Sequence, residues 1–224
     1  IILSDKYLGE ATCTLPRFDD SKLRVDRGKI ASDEMMEKAV NFKRYELTSD
    51  GVSTRCFPGQ KNGMHVCSSY EHDETGFTSE NPQNRVEQIG KRARKLDLIS
   101  ESVLAPKIIG DATADTTIVC WGSTKMPALE ALKLLKADGI KARVLQPIFL
   151  NPFPAKKVRQ VLDSSKHVML VEGNSTGQLG RLIHEQTGVL IEHAFLKYDG
   201  RPFEGVDIAN RVKKIIGGKN GGRK

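Results

Sequence analysis

TIVCWGSTKMPALEALKLLKADGIKARVLQPIFLNPFP, residues 117–154, and SSKHVMLVEGNSTGQLGRLIHEQTGVLIEHAFLKYDGRPF, residues 164–203, decide the fold. Short runs rich in β-branched residues (117–121, 142–146, 167–171 and 189–195) alternate here with segments of helical period. That alternation is expected of strands laid side by side with helices returning between them, a three-layer α/β fold with a mostly parallel sheet. Between the first two runs, Ser123 or Thr124 can cap a helix, Pro127 suits its first turn, and Ala128, Leu132 and Leu135 share one face before Gly139 stops it. Pro154 opens a second helix with Val158 and Leu162 four apart. Leu179, Leu182, Ile183 and Gln186 mark a third, ended by Gly188. A last helix, 206–216, turns Ile208, Val212, Ile215 and Ile216 inward.

Working outward, residues 84–100 form an amphipathic helix capped by Asn81 or Asn84, with Val86, Ile89, Ala93 and Leu96 on its apolar face. Its basic run Lys91–Lys95 reads as a solvated face. Pro106 and the run Gly110–Asp115 mark a linker. Residues 15–50 lack a sustained period and read as a connector, with Ser32 capping a short helix through Met35 and Met36. Residues 1–3 read as a strand. A chain that begins with such a strand, at Ile1 rather than methionine, is expected to be a fragment or a cleaved product. The Gly- and Lys-rich stretch 217–224 is expected to be disordered.

Composition excludes several classes. The chain has 224 residues, 38% hydrophobic content and a net charge of +7. No apolar run approaches the roughly 20 residues of a membrane-spanning helix, so no membrane partner is expected. The basic residues are spread along the chain rather than gathered into one patch, so nucleic acid is not expected either. Four cysteines stand far apart with no C-x-x-C pair, which argues against a zinc ribbon or iron–sulfur module. Nothing suggests secretion, and a cytoplasmic location is expected.

Two groups of residues are candidates for function. The first lies in DGVSTRCFPG (50–59) and EHDETG (71–76), where Arg55, His72, Asp73 and Glu74 sit among glycine turns. Adjacent acids cannot all point at one ion, and no second cluster with ligand spacing follows. A hydrogen-bonded loop, or one touching a partner domain, is the favoured reading over a metal site or an acid–base role for His72. The second group comprises the turns Gly122-Ser123-Thr124-Lys125 and Gly173–Gln178, with Gly122, Ser123, Thr124, Gly173 and Gly177 as the candidate residues, each turn placed after a strand and before a helix, where backbone amides favour anions. Neither turn has the G-x-x-x-x-G-K-[ST] or G-x-G-x-x-G spacing. An independent nucleotide- or phosphate-binding module stands as the alternative function.

In order along the chain, IILSDKYLGE, TSDGVSTRCFPG, EHDETGF, KRARKLD, the stretch from WGSTKMP to LNPFP, VEGNSTGQLGRLI and LKYDGRPF resemble the C-terminal part of the α subunit of 2-oxoacid:ferredoxin oxidoreductases. Thr54, Phe77 and Gly180 depart from the pattern, where proline, histidine and alanine are expected. The resemblance implies a thiamine diphosphate-dependent oxidoreductase that converts a 2-oxoacid, coenzyme A and oxidised ferredoxin to acyl-CoA, CO2 and reduced ferredoxin. It also implies an organisation: residues 1–14 the last strand of a pyrimidine-binding domain, 15–110 a connecting segment, and 111–216 a transketolase C-terminal-like domain II. Thiamine diphosphate, Mg2+ and an iron–sulfur cluster are expected in the intact complex, with none bound by this chain alone. The implied partners are a β subunit, the N-terminal part of the α subunit and, through the complex, ferredoxin. Arg55, His72, Asp73 and Glu74 then become candidates for an interface or substrate-side loop, with no catalytic role. The chain alone is expected to be inactive and to expose apolar surface that favours self-association.

Overall fold

The computed structural model describes residues 1, 3, 4, 6–102 and 105–218. They divide into two units, one built from residues 15–102 and the other from the remaining described residues. In the second unit five strands form one sheet: β1 (Lys107–Gly110), β2 (Thr116–Cys120), β3 (Arg143–Gln146), β4 (His167–Glu172) and β5 (His193–Leu196). The order is β1-β3-β2-β4-β5. All neighbours are parallel except the edge strand β1, which runs antiparallel to β3 with Lys107 opposite Gln146. The expected three-layer α/β fold with a mostly parallel sheet is the one observed.

Two helices cover each face. Helices α4 (Lys125–Ala137) and α7 (Gly205–Ile216) lie over Ile118, Cys120, Val144, Met169 and Val171. Helices α5 (Ala155–Asp163) and α6 (Gln178–Thr187) lie over Val119, Leu145 and Leu170 on the other face. Alternate strand residues thus feed opposite layers, and all five residues of β2 are buried because helices cover both faces. Of the expected helix signals, Thr124 stands at the N-cap of α4 but turns its hydroxyl to Trp121 rather than to the helix amides, and the others hold. Pro127 sits in the first turn of α4, Pro154 is the N-cap of α5, and Gly188 closes α6 with φ 75°.

Three details differ from expectation. The stretch read as a linker supplies β1, because KIIG finds an open edge on β3 and extends the sheet by four residues. In α6 Gln186 faces solvent, and Thr187 is buried in its place, its hydroxyl donating to the Ile183 carbonyl at 2.6 Å. That bond satisfies a polar group that could not otherwise be buried cheaply. The last strand starts at His193, four residues later than its apolar run, since residues 189–192 pair with no strand. At the start of the chain, Ile1 and Leu3 are exposed and belong to no strand, and α1 (Lys6–Glu10) follows. Ile2 and residues 219–224, including most of the expected disordered tail, lie outside the described residues.

Arg143 secures the amino end of the sheet. It is buried, and its guanidinium donates to the Thr117, Ser164 and Ser165 hydroxyls and to the Ala112 and Val161 carbonyls, at 2.7–3.1 Å. A rigid fork of donors suits several convergent oxygens, and here it ties β2, β3 and the end of α5 together.

The first unit has little regular structure beyond α2 (Asp33–Glu37) and the long helix α3 (Pro82–Ser102). Ser32 caps α2 as expected, accepting from the Met35 amide, and Met36 is wholly buried. Asn81 caps α3, its side chain accepting from the Gln83 and Asn84 amides. The face that α3 packs inward is the unexpected one. Gln88 and Lys91 are 1% and 5% exposed and both donate to the Tyr45 carbonyl. Lys91 is therefore not part of a solvated basic face. The segment around Tyr45 offers an unpaired carbonyl rather than an apolar surface, and only a polar helix face can satisfy it.

Candidate functional site at the carboxyl end of the sheet

Helix α4 leaves β2 toward one face of the sheet and α6 leaves β4 toward the other, although β2 and β4 are neighbours. Such a reversal opens a crevice beyond the carboxyl ends of the two strands, where open α/β sheets receive ligands. A cleft of about 280 Å3 lies there, lined by Ser123, Thr124 and Pro127 after β2, Gly173 after β4 and Gly200–Phe203 after β5, with Lys6, Tyr7 and Glu10 of α1. Both candidate anion-binding turns reach it. The Ser123 hydroxyl and the Arg201 guanidinium make no hydrogen bond to other described residues. Lys6 faces Glu10 at 3.8 Å, and both are exposed.

The amides that would cradle a phosphate are already taken. Glu172, the last residue of β4, is wholly buried, and its two carboxyl oxygens accept from Leu179 N, Gly180 N and the Asn174 side chain at 2.7–3.0 Å. Asn174 in turn accepts from the amides of Thr176, Gly177 and Gln178. An acid of the chain itself thus occupies the positive end of the α6 dipole. The Gly122–Thr124 turn is closed in the same way. Thr124 N donates to the Trp121 carbonyl, and the Thr124 hydroxyl bonds both Trp121 N and the Trp121 carbonyl. Gly122, Ser123, Thr124, Gly173 and Gly177 share one region, in strand-to-helix turns whose amides at Thr124 and from Thr176 to Gly180 already have partners within the chain. Glu172 was not singled out from sequence. Its signal, an acid ending an apolar strand seven residues before a helical amide, is recognisable only when the helix start is known. Cys120, just before the first turn, is buried in the apolar core, which pushes its thiol up to about 12 and leaves it inert.

The other candidates lie in the unit built from residues 15–102. His72, Asp73 and Glu74 come together as a knot of internal bonds. Asp73 accepts from the Thr75 hydroxyl and from the amides of Thr75, Gly76 and Phe77, which hold its carboxyl below the usual range. Glu74 bonds Lys43 at 2.7 Å and the Leu47 amide at 2.8 Å, and the Lys43 ammonium lowers its pKa most. His72 stacks on Tyr45 with ring centroids 4.0 Å apart. Its Nδ1 faces the Asp73 carbonyl at 3.0 Å, so that nitrogen carries the proton, since a carbonyl only accepts. Glu71, beside the group, takes both terminal nitrogens of Arg92 on α3 and is lowered by that pair. Arg55 is held apart from the knot, donating to the Arg27 carbonyl at 2.7 Å with its backbone bridged to Ile30. The loop carboxylates are engaged in folding residues 43–48, 71–78 and α3 into one piece, and among the described residues no three His, Cys, Asp or Glu side chains converge as metal ligands.

Residues 114–209 match the family model of pyruvate:ferredoxin oxidoreductase core domain II. The α subunit of 2-oxoacid:ferredoxin oxidoreductase 2 from Aeropyrum pernix is 35% identical over 221 residues, covering 96% of this chain and 34% of that subunit. A 2-oxoacid:ferredoxin oxidoreductase α subunit from Saccharolobus solfataricus is 29% identical over the same shares. Among solved structures, the 2-oxoglutarate:ferredoxin oxidoreductase from Magnetococcus marinus, with 2-oxoglutarate, coenzyme A and succinyl-CoA bound, superposes with a TM-score of 0.81 at 30% identity. That superposition covers 90% of this chain and 34% of the other. The chain spans about a third of the length of these relatives.

Proposed function

We propose that the chain, which is similar along 96% of its length to an α subunit of the 2-oxoacid:ferredoxin oxidoreductases, serves such an oxidoreductase as an assembly and scaffolding piece of the α subunit. The intact complex would take a 2-oxoacid anion, coenzyme A and two oxidised ferredoxins to acyl-CoA, CO2, a proton and two reduced ferredoxins. The observation that carries this reading is the match of both units, 96% of the chain, to α subunits of that activity. The internal saturation of the polar loops supports a scaffolding role.

When bound, thiamine diphosphate would supply the carbanion chemistry of this reaction class, Mg2+ would hold its diphosphate, and an iron–sulfur cluster would carry the electrons. The residues present here do not fit those groups. The helix amides that could hold a diphosphate are bonded to Glu172 and Asn174, and the cysteines are dispersed. We therefore place the cofactors on a β subunit and on the N-terminal part of the α subunit, as partners of this chain, with ferredoxin reached through the complex and a cytoplasmic location. In this organisation residues 1–14 end a pyrimidine-binding domain, 15–110 connect, and 111–216 form domain II, whose sheet recruits β1 from the end of the connector. No described helix is long and apolar enough to cross a membrane.

Under this reading Arg55, His72, Asp73 and Glu74 shape a loop at an interface or on the substrate side of the complex. The test is reconstitution of the chain with a β subunit and the N-terminal part, assayed for thiamine- and coenzyme A-dependent reduction of a viologen dye by 2-oxoacids. Activity confined to the full mixture supports the proposal. Failure to form a complex, with tight nucleotide binding by the chain alone, would replace it with the phosphate-binding reading.

A further inference from the structure

Helix α3 is built inside out. Asn84, Gln88, Lys91 and Lys95 lie along one side of the helix, and of these Gln88 and Lys91 are the residues it buries. The opposite side carries Val86, Ile89, Ala93 and Leu96, spaced three, four and three residues apart, with Val86 65%, Ile89 47% and Leu96 47% exposed. This spacing is the a/d repeat of a helix–helix seam, in which side chains of one helix fill the holes of another. Solvent is a poor partner for such a row.

We propose that this face is a contact between two copies of the chain, with the two α3 helices parallel and in register. The flanking residues choose the partner and its direction. On the seam set above, Arg85 and Arg92 take the g positions, and Gly90 and Asp97 the e positions. A parallel pair sets g against e, so Arg92 of each copy meets Asp97 of the other, and Arg85 meets Gly90. An antiparallel pair sets g against g and places Arg85 against Arg92, two like charges. Arg92 can serve both partners: its pair to Glu71 leaves part of its donor set free, and its side chain is 47% exposed. Gly90 and Ala93 keep the centre of the seam narrow, so the two backbones can approach closely. The contact is isologous, with Ala93 of each copy at the twofold axis.

The experiment uses the purified 224-residue chain in sedimentation velocity over a concentration series. The expected result is a monomer–dimer equilibrium that Leu96→Glu weakens at least about tenfold, by placing a charge in the seam. Asp97→Arg is expected to weaken it by about threefold at low salt and less at high salt, where screening dulls the new repulsion. These side chains are exposed, so at concentrations low enough to keep every form monomeric the thermal midpoints of the variants should match the parent. Ala93→Cys should oxidise rapidly to a covalent dimer beyond the level that Cys13 and Cys67 give in the parent. A chain that stays monomeric at the highest attainable concentration overturns the proposal, as does a dimer indifferent to Leu96→Glu. Failure of Ala93→Cys to cross-link a dimer that Leu96→Glu weakens overturns the parallel register. A seam that becomes protected only when other parts of the oxidoreductase are added assigns the face to them instead. None of these outcomes depends on catalytic activity, so failure here is separable from failure of the functional proposal.

Discussion

Glu172 and Lys91 are the two buried ionisable groups whose surroundings differ most. Glu172 has a full set of donors, whereas Lys91 has one carbonyl shared with Gln88 and three cationic neighbours in Lys95, Arg44 and Arg92. Replacing Glu172 with Gln turns one acceptor into a donor facing an amide or the Asn174 side chain. The expected cost is on the order of 2–4 kcal/mol in urea unfolding. Ser123→Ala, in the same cleft but without a partner, should cost almost nothing. Lys91 behaves oppositely. Burial lowers its pKa from 10.5 to about 8, so between those values the unfolded state binds more protons than the folded one. Stability of the unit built from residues 15–102 should therefore rise as pH climbs from about 8 to about 10.5, and Lys91→Met should flatten that rise. The lowered carboxylates Glu71, Asp73 and Glu74 work from the acid side. Their contribution is present above the ordinary carboxylate range and is lost as pH falls through their depressed values, in the parent and the Lys91→Met chain alike. Denaturation followed over pH 2–11 would separate the two flanks (about the range of these groups). Gly76 adds a steric case. With φ 97° and the Val66 carbonyl carbon 2.7 Å from where a Cβ would stand, Gly76→Ala should lower the thermal midpoint clearly.

At the scale of elements, the close seat of α7 on α4 rests on a residue without a side chain. A Cβ on Gly205, the first residue of α7, would stand 2.7 Å from Glu130 Cβ and 2.6 Å from Glu130 Cγ. Glu130 can swing its carboxylate away, but its Cβ is fixed to the backbone of α4. Gly205→Val should force the two helices apart and cost about 1–3 kcal/mol, measurable as a lower urea midpoint. The inward faces of α4, through Ala128 and Leu135, and of α7, through Ile208 and Val212, were legible from spacing because each helix lays one apolar stripe on the sheet, whereas the burial of Ala131 and Ala209 and the pairing of the two helices were not. The same logic misjudged α3. Its apolar stripe was correctly located by period, but period cannot say which face meets the rest of the unit when a carbonyl, not an apolar surface, waits there.

For the whole molecule, the chain covers about a third of the relatives it matches, and its polar loops are spent on its own folding. We expect the purified chain to fold, to bind no nucleotide tightly and to reduce no viologen dye with any 2-oxoacid. Activity should appear only on reconstitution with a β subunit and the N-terminal part. Variants of the knot, such as Glu74→Gln, should then act through folding or assembly: activity per assembled complex stays near the parent value while the yield of complex falls. A loss of turnover in fully assembled complex would instead give the loop a direct part in the chemistry.

By itself the sequence determined the layered α/β architecture, the helix cap at Ser32, the helix opened by Pro154, the stop at Gly188 and, through its ordered motifs, the resemblance to α subunits of 2-oxoacid:ferredoxin oxidoreductases, while leaving the cap of α3 open between Asn81 and Asn84. These rest on local preferences and on periods of hydrophobicity, which a linear string records. Tertiary structure alone decided that KIIG joins the sheet as an antiparallel edge and that Arg143 and Glu172 brace its two ends. It also decided that the glycine turns answer to Glu172 and Asn174 rather than to a phosphate, and that α3 turns its apolar side outward. The physical reason is common to all of them. Each depends on which carbonyl, amide or strand edge the folded chain brings opposite a residue, and such pairings leave no periodic trace in the sequence.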